Sequence, residues 1–240
     1  MARLVSGAIR RRFLFVCGRT EETCSTNGVA TITRMTNASP KKLQITTVTL
    51  EGKHVRLEPL TLAHEPALND AAANGELWNT DVTIIPKPEG MKDYIQFALD
   101  GLSERKQLPF AIVQKSSGQV VGSTRFYEIR AADKAAAIGY TWLSKSAQRT
   151  PINTEAKLLM LTHAFETWNC VRVELITDVR NEQSRTAILR IGAKQEGILR
   201  NHLILPSGRI RDSVVFSIID SEWPDVKAKL KSKLERTRLP

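Results

Sequence analysis

The sequence predicts an α/β (α+β) fold, a mixed and mostly antiparallel sheet flanked by helices. Three observations carry this. From residue 45 on, strands, paired helices, a run of strands, a long helix and further strands follow one another in an order that suits one layered domain. Gln148 to Trp168 forms a helix that is apolar on two sides, with Leu158, Leu161, Phe165 and Trp168 on one stripe and Ala156, Leu159, Met160 and His163 on the other. Such a helix is buried between layers rather than laid on a surface. Val171 to Thr177, directly after it, reads as an apolar strand of the parallel-sheet type.

The elements follow in order. Val48 and Leu50, then Val55 to Pro59, read as a strand pair around the turn Glu51-Gly52-Lys53. Leu60 to Asn74 is helical, with Pro66 in its first turn. Leu77-Trp78-Asn79 opens a loop toward Pro86 and Pro88. In Glu89 to Arg105, Met91, Tyr94, Ile95, Ala98, Leu99 and Leu102 share one helix face. Phe110 to Gln114 and Gln119 to Tyr127 are strands around Lys115 to Gly118, and Ala136 to Leu143 is a third. Thr150 caps the long helix, Pro151 takes its first position, and Glu155 lies in its first turn. Asn181 to Ile191 is a short helix stopped by Gly192. Ala193 to Leu205 and Arg211 to Ile219 pair around Pro206-Ser207-Gly208, and Val226 to Leu234 is a basic helix. The organisation predicted is an extension over 1–42, one domain over 43–222 and a basic helical tail over 223–240.

Charge argues against one class of function, nucleic-acid binding by the folded body, and leaves only the basic tails for it. The net charge is +10. Residues 1–42 hold eight Lys/Arg against Glu21 and Glu22, and 225–240 hold six against Asp225 and Glu235. The tails therefore carry all of the excess, and 43–224 is neutral. A nucleic-acid-binding domain would carry its basic stripe on the folded body, so a nucleic-acid partner is not expected. Three irregularly spaced cysteines, Cys17, Cys24 and Cys170, imply a reducing compartment and no disulfide framework. His54, His64, His163 and His202 form no cluster with ligand spacing, so no metal is implied. No apolar run approaches the roughly 20 residues of a membrane-spanning helix, so no membrane partner is expected. Ala2 to Val16 is Arg-rich and free of acids, and a Ser/Thr-rich stretch follows. This composition fits a mitochondrial-type transit segment within 1–34, a disordered extension, or an over-called start with Met35 as the initiator. The expected location is the cytoplasm, with the mitochondrion as the alternative.

A buried helix keeps free amides at its start, which makes that start an anion site. The segments IGYTWLSKSAQRTPINTEAK, RVELITDVRNEQSRTAILRIGAKQEGILR and GRIRDSVVFSI extend this reading. Together with the element order, they resemble the GNAT acetyltransferase superfamily, in particular its ribosomal-protein N-terminal acetyltransferases. The resemblance covers Leu50 to Ile219. It implies strands splayed at the cofactor site, and acetyl-CoA as co-substrate. The family's loop of the form Q/R-x-x-G-x-G/A falls on Gln148 to Asn153. Pro151 replaces the first glycine and has no N–H to give, and Asn153 replaces the second small residue. The donors to a pyrophosphate would then be the amides of Arg149, Thr150, Ile152, Asn153 and Thr154, with Gln148 opening the loop and the Arg149 side chain adding charge. Backbone of the Tyr140 to Leu143 strand, Trp142 and Leu143 included, would hold the pantetheine arm and polarise the thioester.

The resemblance also implies roles around the next helix. Asn181 and Ser184 match N-x-x-S, in which the asparagine contacts the pantetheine and the serine protonates the departing thiolate. Ser184 would equally cap a helix over 185–191. Arg185 would touch cofactor or solvent. The family's acidic base falls on Leu203, which leaves the neighbouring His202 as the candidate base, or a histidine tied up by Arg211, Asp212 or backbone. Glu196 is expected to be structural. The activity implied is transfer of acetyl to a primary amine, on a small molecule or a protein N-terminus, by a monomer or homodimer. The alternative is a non-catalytic acyl-CoA-binding module. The acceptor site is expected among the helices at 60–105, Trp78, Trp142, the 144–147 turn and the 200–210 hairpin.

Overall fold

The computed structural model describes residues 43 and 45–236. The expectations for residues 1–42, whether extension or transit segment, lie outside the described residues. Among these residues, eight strands form one sheet in the order β1-β2-β3-β4-β5-β6-β8-β7. They are β1 (Leu50–Glu51), β2 (Val55–Pro59), β3 (Leu108–Gln114), β4 (Gln119–Arg130), β5 (Ala135–Leu143), β6 (Arg172–Asp178), β7 (Lys194–Ile204) and β8 (Ile210–Ile219). The helices are α1 (Glu65–Ala73), α2 (Met91–Ser103), α3 (Pro151–Thr162), α4 (Glu182–Arg190) and α5 (Trp223–Arg236). Every neighbouring pair is antiparallel except β5 and β6, which run parallel.

The sheet has a core on each face. On β3, Phe110 and Ile112 belong to one cluster and Ala111 to the other, as the alternation of a strand requires. The larger cluster packs α3 and α5 against the sheet through Ile152, Ala156, Met160, Leu161, Trp223, Val226 and Leu230. The smaller one seats α1 and α2 through Leu68, Ala72, Met91, Ile95 and Ala98. Of the two tryptophans expected in the acceptor site, Trp142 packs in this smaller cluster and Trp78, partly buried, packs against it. Each is a large ring whose burial stabilises the fold by a few kcal/mol.

The parallel pair is short. Ala135, Ala136 and Ala137 register with Arg172, Val173 and Glu174, and no further β5–β6 partners follow, although β5 runs on to Leu143 and β6 to Asp178. The strands part there. On its other side, β5 stays bound to β4 but with an irregularity where Ser123 pairs with Trp142 and Arg125 with Gly139. Tyr140 sits in that step with φ of 50°, a left-handed conformation that costs a residue with a side chain roughly 1–3 kcal/mol. Gly122 pairs with Leu143 beside it, and a Cβ there would lie 2.0 Å from the Trp142 carbonyl oxygen. Only glycine allows that approach.

The long helix ends differently from the expectation. Its α-helical part stops at Thr162, and His163–Thr167 forms a π-turn closed by the Trp168 amide on the His163 carbonyl at 3.0 Å. The extra residue turns three rings inward at once. Trp168 lies 4.7 Å from Phe126 and 4.8 Å from His163, and Phe165 stacks on Trp223 at 5.3 Å.

Candidate active site

The site grows from the opening between β5 and β6 and from two helix starts that face it. Thr150 caps α3: its Oγ1 accepts from the Ile152 amide at 3.4 Å and donates to the Ala147 carbonyl at 2.6 Å. Pro151 follows at the first helical position, so the missing N–H is one that the helix would not have used. Arg149 precedes the cap with φ of 59°, which turns the loop sharply into the helix. The Ile152 amide, expected to face phosphate, is thus engaged by the cap. Asn153 Oδ1 is buried with no partner among the described residues.

Asn181 is the cap of α4, and its Oδ1 accepts from the Ser184 amide at 2.9 Å. This corrects the expectation that Ser184 caps a helix over 185–191: the serine lies one turn inside, with its hydroxyl uncommitted to capping. Arg185 Nη1 donates to the Val179 carbonyl at 3.1 Å and braces the loop ahead of the helix. The two helix starts meet through Gln183, whose Nε2 donates to Gln148 Oε1 at 3.2 Å. Gln148 Nε2 in turn donates to the Leu143 carbonyl at 3.0 Å, which ties the loop to the end of β5.

These residues bound a shallow pocket of about 300 Å³ lined by Lys145, Gln148, Arg149 and Gln183. Lys145 and Gln183 were not singled out from the sequence. Lys145 and Arg149 are both exposed, so the pocket carries two cations beside the start of a helix. An anion of the size of a pyrophosphate fits that chemistry. The side chains of Trp142 and Leu143 are buried in the cores, so only their backbone is available to a ligand.

His202 stands apart from this group. It is exposed on β7, and its Nδ1 lies 3.0 Å from Ser213 Oγ rather than against Arg211 or Asp212. Asn201 beside it has φ of 52°, and its amide donates to Asp212 Oδ1. Ser213 registers with Asp178 at the end of β6, so His202 lies beyond β8, on the side of β6 away from the opening. Arg209 Nη2 holds the buried Asp178 carboxylate at 2.5 Å and also meets the Asp81 carbonyl. Burial alone would raise the Asp178 pKa, but Arg209, the Arg180 amide and Arg211 hold it below the ordinary range. Glu196 is structural, as expected: it pairs with Arg172 and accepts from Ser217, and the Arg172 hydrogen bonds push its pKa down to about 2.

Cys170 is buried, and burial pushes its thiol up to about 11. It is a poor nucleophile near neutral pH. Among the described residues no three His, Cys, Asp or Glu side chains stand together as metal ligands, and no helix is long and apolar enough to cross a membrane.

The comparisons with known proteins agree with this fold. The family model of the acetyltransferase (GNAT) domain matches residues 54–194. A Bacillus subtilis protein with the name "Putative ribosomal N-acetyltransferase YdaF" is 33% identical over 110 residues, which cover 46% of this chain and 59% of the relative. The chain thus spans well under two thirds of that relative. The crystal structure of a GCN5-related N-acetyltransferase from Brucella melitensis is 30% identical, covers 79% of this chain and 86% of its own, and superposes with a TM-score of 0.69. Mycobacterium smegmatis RimJ, solved in complex with CoA-disulfide, superposes with a TM-score of 0.67 over 79% of this chain and 96% of its own. At 21% identity that likeness concerns the fold alone.

Proposed function

The chain belongs to the GNAT acetyltransferase family, as an N-acetyltransferase, and on that premise we propose that it moves an acetyl group from acetyl-CoA to a primary amine by direct attack in a ternary complex. The observation that carries this reading is the open edge of β5 beyond Ala137, which leads to a basic pocket at the start of α3. An extended pantetheine arm would pair with that edge as a strand would, and the pyrophosphate would lie by Lys145, Arg149 and the first-turn amides of α3. Backbone N–H groups at the Tyr140 step would face the thioester carbonyl as charge builds on its oxygen. The raised Cys170 thiol speaks against an acetyl-cysteine intermediate, so the amine itself attacks the carbonyl carbon.

Two proton roles follow. Ser184 Oγ, freed from capping, would protonate the departing thiolate. The ammonium of the acceptor must first lose a proton, and His202, on β7 beyond β8, is one candidate to take it, through water. The name of the Bacillus relative, which contains the words "ribosomal N-acetyltransferase", makes amines of ribosomal proteins, the N-terminus included, the first acceptors to try, followed by small amines.

The test is release of CoA thiol from acetyl-CoA across a panel of peptides and small amines. Turnover with at least one amine is expected. Tight CoA binding with no turnover on the whole panel would replace this reading with a non-catalytic acyl-CoA-binding module, for which Pro151 and Leu203 are the departures to examine first.

A further inference from the structure

Lys157 is an unusual residue for the second turn of a buried helix. It is only 5% exposed, and its Nζ reaches through the α3 face of the sheet to two hydroxyls. It lies 2.6 Å from Thr141 Oγ1 and 3.4 Å from Thr124 Oγ1, and the two hydroxyls are 2.7 Å apart. Thr124 also reaches Met160 Sδ at 3.6 Å. Thr141 is on β5, one residue past the left-handed Tyr140, on the stretch that has left β6. The amine is thus connected to the open strand edge by one hydroxyl.

We propose that Lys157 is the proton acceptor of acetyl transfer, working through the Thr141 hydroxyl; this rests on the acetyltransferase reading above. Three observations join here. A lysine is carried into the core at a cost that an apolar residue would avoid. Its hydrogen bonds run to hydroxyls, which serve a neutral amine as well as a charged one, because a hydroxyl both donates and accepts. The chain of contacts ends at the strand edge assigned to the thioester. Burial is the only cause acting on the group, with no charged side chain contributing, and it brings Lys157 down to about 7. The base is therefore present in quantity near neutrality.

The protons balance as follows. An ammonium N–H breaks and its proton passes to Thr141 Oγ, while the hydroxyl's own proton passes to Lys157 Nζ. The amine nitrogen bonds to the thioester carbon, the C–S bond breaks, and one of the two protons still on nitrogen ends on the thiolate by way of Ser184, the other remaining as the amide N–H. Lys157 then returns its proton to solvent. Because Lys157 acts through Thr141, it is a relay residue, and its signature is a pH profile.

The experiment measures kcat against pH for wild type, Lys157→Met, Lys157→Arg, Thr141→Val and Thr141→Ser, with acetyl-CoA affinity by calorimetry for each. Wild-type kcat should rise through a limb near pH 7. Lys157→Met, Lys157→Arg and Thr141→Val should lose that limb and roughly 10²-fold in kcat, with acetyl-CoA affinity within about twofold, and Thr141→Ser should restore it. Titration of the wild-type Lys157 Nζ by NMR on lysine-labelled protein, assigned with Lys157→Arg, needs no unstable variant. A Nζ that titrates above about 9, or a Lys157→Met enzyme that keeps both kcat and limb, overturns the relay and leaves acetyl transfer standing. A wild type that turns over no amine overturns acetyl transfer and the relay with it.

Discussion

Two buried charged residues lie two positions apart on α3 and are treated in opposite ways. Glu155 and Lys157 are 6% and 5% exposed. The Glu155 carboxylate accepts from the backbone amides of Lys53, His54 and Val55 at 2.8, 2.5 and 2.8 Å, which makes it a clamp on the β1–β2 turn. Gly52 is built around it: a Cβ there would lie 2.5 Å from Glu155 Cδ. Lys157 has two hydroxyls and no countercharge among its hydrogen-bond partners. A buried ion with a full set of partners fixes structure. A buried amine with neutral partners is pressed toward its neutral form, and a neutral amine can take a proton. The two sites therefore separate a structural use of a buried polar group from a chemical one.

The largest expected effect tests the structural side. Glu155→Ala should strand three amides and remove hydrogen bonds to an ion, each worth about 1.5–3 kcal/mol. Even with overlap between them, a loss of about 3 kcal/mol or more is expected, or roughly 10 °C in melting temperature for a protein of this size. Calorimetry reads it directly. A fall of less than about 2 °C would show that the β1–β2 turn holds without its clamp, and the contrast with Lys157 would collapse.

The next effect tests the other side by its sign. Lys157 is lowered from the ordinary lysine range to about 7 in the folded protein, so between those limits the unfolded chain binds more protons than the folded one. Stability should then rise with pH above about 7, and the penalty should be fully present below it. At about 1.4 kcal/mol per pH unit the gain is of order a few kcal/mol by pH 10. Lys157→Met should be more stable than wild type at pH 7, and the difference should shrink as pH rises. Parallel stability curves for the two proteins from pH 7 to 10 would mean that Lys157 keeps its proton when folded.

Much of the framework was legible in the chain because its signals are local. Thr150, Pro151 and Asn181 lie beside the helices they start, and the turns at Gly52, Gly118 and Gly208 lie between the strands they join. The parting of β5 from β6 followed from family resemblance, and Ala137 as the last paired residue had to be seen. The Glu155 clamp was hidden, because its partners lie about a hundred residues away in sequence and helical spacing carries no trace of them. Lys157 left a signal that went unread: a lysine between Ala156 and Leu158, in a helix apolar on two sides, has no polar face to occupy. The choice of cap at α4 turned on a single residue. Asn181 and Ser184 are both good caps, and only the hydrogen bond between them decided which one caps the other.

That decision predicts a third pair of effects, smaller in stability and larger in mechanism. Asn181→Ala removes a cap and should cost about 1 kcal/mol, visible as a few degrees in melting temperature and as weaker acetyl-CoA binding. Ser184→Ala removes no cap, so its melting temperature should stay within about 1 °C, while kcat falls by ~10²-fold if its hydroxyl protonates the thiolate. Full kcat in Ser184→Ala would assign thiolate protonation to water.

The smallest effect concerns the first turn of α3, where Asn153 supplies a third kind of buried polar group. Its Oδ1 is shielded from solvent yet has no partner among the described residues, two positions ahead of the fully satisfied Glu155. An orphaned acceptor contributes nothing to folding and imposes a desolvation cost of about 1–3 kcal/mol, so its removal should leave the free protein as stable as before or slightly more so. If an amide N–H or hydroxyl of the pantetheine arm, rather than the pyrophosphate, brings the missing donor, the amide side chain is used only in the complex. Asn153→Ala should then raise the acetyl-CoA dissociation constant by about fivefold to tenfold, the worth of one hydrogen bond, with the melting temperature unchanged or higher without ligand. The thermal shift on adding acetyl-CoA should shrink accordingly. A variant that melts lower but binds acetyl-CoA as tightly as wild type would reverse the assignment and return Asn153 to the structural group with Glu155.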